Sequence, residues 1–384
     1  MSLPTSRLLR ALAFFFTAAL ALPASTSAAA PTHNPIKIGE FASLTGKEAT
    51  YGQAAHRGTL LAIEEANAAG GVLGRPLELI TEDDQSKAGE AATIAKKLIS
   101  RDKVVALLGE ITSGRTLEAA PIAQNAKIPL ISPGATAPAV TARGNYIFRV
   151  CFVDSFQGNV MAKFARESLK LSRTAILSSA SSAQSVGLAK IFRERFTALG
   201  GTIVLEQKYS EGDKDFRAQL TAIRAAGVEG IFVPGYYAEA ALICKQARDL
   251  GITAPLFGID GWESAELVNI GGDAVEGSYF STHFSPESDA PDVRSFNERF
   301  RARWGTGTDA LSALGYDSAK LLIDALRRAG TTDGAKLRDA LAATKDFKGV
   351  TGTIAFDAQR NPTKSAVVLQ VRNGQFTFVE SVSP

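Results

Sequence analysis

Short apolar runs alternate with longer amphipathic stretches along most of this chain. The runs IKIGEF, LELIT, VVALLG and IPLIS are typical of strands that are buried on both faces of a sheet. The stretches EAATIAKKLIS and VGLAKIFRERFTALGG instead have the pattern of helices. Strands that alternate with helices of roughly 10–15 residues indicate βαβ units, in which parallel strands form a central sheet.

This alternation runs through the chain twice and then breaks. After YIFRV it restarts with the helix pattern FQGNVMAKFARESL and continues to PLFGID. The last third has three successive helix patterns, at 293–304, 310–329 and 335–343, followed by the short strands GTIAFD, SAVVLQV and QFTFVE. The last two strands are predicted to form a hairpin that turns at Asn373 and Gly374. This order predicts two α/β lobes between which the chain crosses more than once.

Residues 1–30 have the pattern of a secretory signal. Arg7 and Arg10 form a basic start, the run from Ala11 to Leu22 is apolar except for one threonine, and the small-residue tract ASTSAAA follows. The run is shorter than the roughly 20 apolar residues that a membrane-spanning helix needs. No cysteine follows it, so a lipid anchor is not predicted there. We expect cleavage between residues 28 and 30 and export of a soluble protein to the periplasm.

The charge balance and the length narrow the class of protein. The whole chain has a formal charge of +3, which falls to +1 without the two arginines of the signal. No basic stripe stands out, so nucleic acid is not a predicted partner. The chain is longer than a single core comfortably fills, which favours two domains.

The two cysteines, Cys151 and Cys244, match no metal-binding spacing. An oxidising compartment would permit a disulfide between them. Each cysteine nevertheless lies in an apolar run, RVCFV or ALICKQ, which favours two buried free thiols.

Catalytic signatures are missing from the sequence. Only three histidines occur, His33, His56 and His283, and there is no G-x-S-x-G, H-E-x-x-H or Walker A pattern. The acidic run from Glu82 to Asp84 could hold a metal, but a solvated loop is the favoured interpretation. The sequence therefore predicts neither an enzyme nor a resident cofactor or metal.

Two small loops carry the most informative chemistry. The first, at Thr112, Ser113 and Gly114, follows VVALLG and opens directly onto a helix pattern. The second follows IPLIS and offers hydroxyls and free backbone groups, from Ser132 through Gly134 and Ala135 to Thr136. Ligands bind beyond the carboxyl ends of parallel strands, and the N–H groups and dipole of a helix start favour an anion. The two loops together predict a binding site for a small carboxylate.

These loops belong to a set of motifs that covers essentially the whole chain after the signal. The motifs are GEITSGRT, ISPGATAPAVTARG, DSFQG, VGLAK, GDKDF, GYYAEAALICKQARDLG, GIDGW and GTIAFDAQRN. They resemble those of the periplasmic leucine/isoleucine/valine-binding proteins, which are the substrate-binding subunits of branched-chain amino-acid ABC transporters.

The resemblance implies the type I periplasmic binding protein fold. In that fold two Rossmann-like lobes with parallel central sheets are joined by three crossovers and close on the ligand like a hinged clam. The crossovers would fall near Val150, Thr282 and Thr353. The N-terminal lobe would contain residues 31–151 and 283–351, and the C-terminal lobe residues 152–282 and 352–384.

The same resemblance assigns roles to residues of the two loops. The α-carboxylate of the ligand would be held by Ser113, Gly114 and Thr136 through charge-assisted hydrogen bonds. The α-ammonium would be held by the carbonyl of Gly134 and by Asp260 in the opposite lobe. Aspartate stands there in place of the family's usual glutamate, which is one methylene longer.

Aromatic positions of the family are only partly kept in this chain. Tyr51 and Tyr236 match aromatic residues that line the pocket from the two lobes. Gln184 stands where the family has a second-lobe tyrosine, and Leu311 aligns roughly with an aromatic that contacts the ligand side chain. Trp262 follows the acid and is predicted to fill part of the space. Replacing an aromatic wall by glutamine alters which ligand side chain fits.

The sequence leaves alternative roles open for three charged residues near the loops. Glu110 and Arg115 flank the first loop and could contact polar atoms of a ligand, although a solvated charge in the first helical turn is the favoured interpretation of Arg115. Arg149 ends YIFR at the first crossover, where it could pair across the hinge or face the cleft.

These features predict an exported carrier that binds a small amino acid, with a branched-chain one favoured, and delivers it to the membrane permease of an ABC transporter. A monomer is the expected form. The alternatives are a ligand-sensing receptor built on the same fold and a carrier for an amide, urea or an aromatic acid.

Overall fold

A computed structural model describes residues 34–383, which contain two large sheets. The predicted signal at residues 1–30 lies outside this range. None of the helices within it is both long and apolar enough to cross a membrane.

The first sheet is built from the buried apolar runs of the first α/β set. Its strands are β1 (Ile36–Ala42), β2 (Leu77–Asp83), β3 (Ala106–Leu108), β4 (Leu130–Ser132) and β5 (Ile147–Arg149). All pairs are parallel, in the order β2-β1-β3-β4-β5. The connecting helices are α1 (Ala49–Ala68), α2 (Glu90–Ser100) and α3 (Ser113–Ala126).

The second α/β set forms most of the second sheet. Its strands are β6 (Arg173–Ser179), β7 (Thr202–Tyr209), β8 (Gly230–Phe232), β9 (Leu256–Gly258) and β10 (Tyr279–Thr282). Its helices are α4 (Asp154–Lys163), which continues as a π-helical turn at Phe164–Ser168, α5 (Ala183–Ala198), α6 (Arg217–Ala225), α7 (Tyr237–Asp249) and α8 (Ala265–Gly271).

The chain then returns to the first sheet before ending in the second. Helix α10 (Ala310–Ala329) packs on α1, and α9 (Pro291–Trp304) and α11 (Gly334–Ala342) lie beside them. The short strands β11 (Phe347–Gly349) and β12 (Gly352–Ile354) pair with each other. We call the first sheet with α1–α3 and α9–α11 the first lobe, and the second sheet with α4–α8 the second lobe.

The C-terminal strands β13 (Ala366–Arg372) and β14 (Gln375–Val382) complete the second sheet. The sheet order is β14-β13-β10-β9-β8-β6-β7, and β13 is antiparallel to both of its neighbours. Arg372 pairs with Gln375, so the hairpin turns at Asn373 and Gly374 as predicted. The lobe boundaries drawn from the resemblance stay a prediction.

Two glycines let α1 and α10 approach closely. A Cβ atom on Gly58 would lie 1.9 Å from the carbonyl oxygen of Ser312, and one on Gly315 would lie 2.1 Å from the carbonyl oxygen of Ala55. Real Cβ atoms do not come this close to backbone, so each helix needs a glycine at the crossing. Helix α10 is thereby fixed on α1, and its first residues are held next to the second lobe.

Both cysteines are buried and unpaired, as favoured from the sequence. Burial raises the pKa of the Cys151 thiol to about 12, and it raises the pKa of the Cys244 thiol to about 12 as well. Thiols with such pKa values are almost wholly protonated near neutral pH and therefore unreactive.

Candidate ligand-binding site

The two lobes contact each other through side-chain hydrogen bonds, two of them to backbone carbonyls, at the carboxyl edges of their sheets. The hydroxyl of Tyr51 in α1 donates to the carbonyl oxygen of Gly261 in the second lobe. Further contacts between the lobes join Gln184 to Thr136 at 2.6 Å, Ser264 to Thr50 at 3.1 Å, Tyr237 to the carbonyl oxygen of Lys47 at 2.6 Å, and Lys47 to Glu211 at 3.2 Å. The cleft between the lobes is therefore closed.

The first loop meets the cleft at the beginning of helix α3. Thr112 is the N-cap residue in extended conformation, and Ser113 is the first helical residue. Ser113 is buried, and its hydroxyl accepts a hydrogen bond from the backbone N–H of Ala137 at 3.1 Å. Gly114 is exposed, with open space beside its Cα. The first N–H groups of a helix have no partner within it, so this corner can bind an anion.

The backbone of the second loop is supported by the side chain of Arg149. The guanidinium is buried and donates to the carbonyl oxygens of Ala135 at 2.6 Å and Ala137 at 2.8 Å. The hydroxyl of Ser132 accepts from the N–H of Ala135 at 2.9 Å. Arg149 therefore has neither of the two roles left open from the sequence, a pair across the hinge or a charge that faces the cleft. Instead, Arg149 supports the loop that contains Thr136.

Asp260 lies on the opposite side of the cleft, in the turn after β9. The side chain is buried, and each of its oxygens accepts one hydrogen bond. The amide nitrogen of Gln157 lies 2.8 Å from Oδ1, and Nε2 of His283 lies 3.0 Å from Oδ2. Two uncharged side chains thus hold in place the carboxylate of Asp260, which is predicted to bind the ligand's α-ammonium.

Asp154 is a second buried acid in the cleft, and sequence reasoning missed it. It begins helix α4, and its N–H donates to the carbonyl oxygen of Thr136 at 3.0 Å. Neither carboxyl oxygen accepts a well-formed hydrogen bond from a described residue, although Thr136 and Gln184 lie nearby. Burial, aided by the charge of Asp260, raises the pKa of Asp154 to about 7. The signal that could have revealed it is the acid at a helix start in DSFQG, directly after a crossover.

The aromatic residues predicted from the two lobes do come together. The rings of Tyr51 and Tyr236 meet edge to face at 5.9 Å, and those of Tyr51 and Tyr237 at 5.1 Å. Tyr51 is buried, whereas Tyr236 is partly exposed. Tyr237, which sequence reasoning left out, brings a third ring to this wall.

Trp262 and Gly134, two further predicted site residues, are both packed against neighbouring residues. Trp262 is completely buried, its indole N–H donates to the carbonyl oxygen of Val233 at 3.0 Å, and its ring covers Gly258. It packs in the second-lobe core behind the Asp260 turn, so its contact with a ligand stays a prediction. Gly134 lies against Ile111, where a Cβ would come 3.1 Å from the Ile111 side chain, closer than ordinary packing.

Comparison with known proteins now identifies the family. The family model described as periplasmic binding protein matches residues 35–375. The chain belongs to this family. It is 32% identical to the leucine-, isoleucine-, valine-, threonine- and alanine-binding protein of Pseudomonas aeruginosa over 354 residues, which are 92% of each chain.

Solved structures show that this binding protein has the type I fold that the resemblance implied. The leucine-binding protein LivK of Thermotoga maritima has a TM-score of 0.87 and 38% identity, with 91% of this chain and 99% of that one covered. The protein LivJ of Streptococcus pneumoniae, solved with isoleucine, has a TM-score of 0.87 and 36% identity, with 91% and 100% covered.

One expectation for the binding protein was wrong: Arg115 is not a solvated charge. It is buried, because Glu48 at 2.9 Å and the carbonyl oxygen of Ser86 lie against its guanidinium. A further donor atom lies 3.2 Å from the hydroxyl of Thr112. Arg115 therefore ties together the loops that follow β1, β2 and β3.

The acids around Arg115 are also buried. Asp84, predicted to lie in a solvated loop, is fully buried and accepts from the hydroxyl of Ser43 at 2.7 Å. Glu110 accepts from the N–H groups of Thr112 at 2.7 Å and Ser43 at 3.2 Å. Burial, reinforced by the nearby Asp84, raises the pKa of Glu110 to about 7. These groups brace the first-lobe loops.

Proposed function

We propose that this periplasmic binding protein captures a small amino acid between its lobes and delivers it to the permease of an ABC transporter. The observation that carries the proposal is the pair of buried acids, Asp154 and Asp260. Among the described residues neither forms an ion pair with lysine or arginine. Buried carboxylates without a cation are costly, and the α-ammonium of an amino acid would supply the missing charge.

The other end of the cleft suits the α-carboxylate. Ser113 lies at the start of α3, and its hydrogen bond to Ala137 keeps the first loop beside the second. The dipole and free N–H groups of this 14-residue helix favour a negative charge. A site with an anion corner at the start of α3 and the buried acid Asp260 in the opposite lobe matches a zwitterion in one orientation.

Leucine, isoleucine and valine are the first candidate ligands. The relatives LivK and LivJ are a leucine-binding protein and an isoleucine complex, and the Pseudomonas relative also binds threonine and alanine by its name. Gln184 favours a second candidate, a more polar ligand such as an amide, because a hydrogen-bonding side chain replaces an aromatic wall. Capture would take place in the periplasm, after removal of residues 1–30, by a monomer.

Thermal unfolding of the protein purified from the periplasm of an expressing host tests this proposal. The panel contains the twenty amino acids, short amides, urea and aromatic acids. A ligand at about 100 times its Kd stabilises the folded state by roughly 2.7 kcal/mol, which raises the Tm measurably. We expect a shift with an aliphatic amino acid and a smaller one with its des-amino analogue. A shift only with acids that lack an ammonium group would overturn the amino-acid assignment.

Delivery to a transporter needs a separate measurement. Uptake of the radiolabelled ligand by cells is expected to fall when the gene is deleted and to return when it is restored. Unchanged uptake in the deletion strain, combined with tight binding of the purified protein, would support a sensing role instead. The mass of the exported protein reports where the signal is cleaved.

A further inference from the structure

His283 lies where the chain leaves the second lobe, immediately after β10. Its side chain is completely buried. The imidazole stacks on the ring of Phe152, with centroids 3.7 Å apart and planes inclined by 28°. Phe152 itself follows the first crossover, so two segments that connect the lobes clamp the ring in a fixed orientation.

The hydrogen bonds of this ring define its protonation state. Nε2 lies 3.0 Å from Oδ2 of Asp260, and an ionised carboxylate can only accept, so Nε2 must carry a proton. Nδ1 has no hydrogen-bond partner among the described residues. A protonated Nδ1 would leave a buried donor and a buried charge unsatisfied, whereas a bare Nδ1 leaves only an acceptor.

The surroundings of the ring also oppose its positive charge. Burial lowers the pKa of His283, and the charge of Lys364 lowers it further, against the opposite influence of Asp260. Lys364 is itself buried, with its ammonium 3.0 Å from the carbonyl oxygen of Val150. The ring face of Phe152 would attract an imidazolium only weakly compared with the cost of burying its charge.

We propose that His283 is a positioning residue that orients Asp260 with a neutral donor, so that the carboxylate keeps its whole negative charge for the ligand's ammonium. Gln157 does the same at the other oxygen, 2.8 Å away. A lysine or arginine in either place would orient the carboxylate equally well but neutralise it. This inference rests on the proposed function, because it takes the ligand to carry an ammonium group.

The state of the ring can be read directly in the unaltered protein. Long-range proton–nitrogen NMR spectra distinguish the two neutral tautomers from imidazolium, and only three histidines occur in the chain. Comparison with His283→Gln assigns the signals of residue 283. We expect the neutral tautomer with hydrogen on Nε2 from about pH 6 to 8. An imidazolium at pH 7, or hydrogen on Nδ1, would overturn the proposal.

Affinity measurements test the consequence, with leucine and 4-methylpentanoate, its des-amino analogue, as probes. His283→Gln keeps a neutral N–H donor, and its leucine affinity is expected to stay within about threefold. His283→Leu removes the donor and is expected to weaken leucine binding about tenfold or more, with little change for 4-methylpentanoate. Equal losses for the two probes would mean that His283 only supports the fold.

Asp260→Asn separates this inference from the proposed function. If that variant binds leucine as tightly as the unaltered protein, the assignment of Asp260 to the ligand's ammonium is wrong. If it loses leucine but His283→Leu does not, only the role of His283 fails. Urea unfolding without ligand shows whether each variant is folded. If His283→Leu is unfolded, the NMR spectra and the leucine affinity of His283→Gln test the role of His283 instead.

Discussion

The side-chain amide of Gln184 lies 2.6 Å from the hydroxyl oxygen of Thr136, so the second lobe donates a hydrogen bond to the predicted ligand threonine of the first. By the sequence resemblance, Gln184 replaces a tyrosine of the family, whereas Thr136 matches the family's threonine. The hydrogen bond therefore joins an altered position to a shared one. Because Gln184 is also proposed to contact the ligand, this bond would link the choice of ligand to the closure of the cleft.

Gln184→Ala is expected to weaken ligand binding about two- to tenfold, because closure then forms one hydrogen bond fewer between the lobes. Calorimetric titration with the amino acid that raises the Tm most checks this. Gln359→Ala is the matched control, since Gln359 is exposed on a distant turn. Equal affinities for the two variants would show that the Gln184 contact contributes nothing to closure.

At pH 8, above the pKa of about 7 at which Asp154 ionises, Asp154→Asn is expected to lower affinity for an ammonium ligand by about 2–5 kcal/mol, because the negative charge of Asp154 is lost. Asp292→Asn is the control, since it also changes an acid in a first helical turn, but an exposed one. Unchanged affinity in Asp154→Asn would mean that Asp260 alone holds the ammonium.

The same variant is expected to be more stable than the unaltered protein without ligand. The pKa of Asp154 is raised to about 7 in the folded state, so folding binds a proton between the ordinary value near 3.8 and about 7. The free energy of unfolding of the unaltered protein therefore falls as pH rises through this window, and that of the variant falls less. Urea unfolding at pH 4, 6 and 8 measures the difference, which should grow with pH.

Glu263 is expected to couple closure of the cleft to pH. This second-lobe carboxyl accepts from the N–H of Ala310 at the start of α10 at 2.8 Å, and Thr282 donates to its other oxygen. Burial, with a contribution from Asp309, raises the pKa of Glu263 to about 8. Opening would let water reach the carboxyl and lower that pKa, so closure is expected to take up a proton near neutral pH.

Ligand affinity is therefore expected to fall as the pH is raised through about 8 and to vary less in Glu263→Gln. Titration calorimetry between pH 6 and 9, in buffers of different ionisation enthalpy, measures both affinity and proton uptake. Glu266→Gln, at a partly exposed acid of the next helix, should behave like the unaltered protein. No proton uptake at pH 7 would contradict the coupling.

Gly58→Ala is expected to destabilise the fold by roughly 1–3 kcal/mol, because its Cβ would lie 1.9 Å from a carbonyl oxygen of α10. Gly187→Ala is the control within helix α5, where a Cβ meets nothing within 4 Å. That change should be neutral or stabilise the helix by about 0.5–1 kcal/mol. Urea unfolding midpoints check both, and equal midpoints would refute the tight α1–α10 crossing.

Much of the architecture follows from local patterns. The period of apolar residues predicted α10 at its observed bounds, Ala310–Ala329, and the Asn-Gly pair predicted the turn of the last hairpin. Neither β11 nor α8 was predicted, because each is short and its pattern is too brief to show a period.

The sequence by itself determined the α/β alternation, the two small hydroxyl-bearing loops and, through motifs, the family. Backbone hydrogen bonding and burial impose these patterns within a few residues, so they can be read locally. Only the tertiary structure decided that Arg115 is buried, and that Asp154 and His283 both lie in the Asp260 environment. Whether a charge can be buried depends on the partners that packing brings from distant segments, and no local period records those partners.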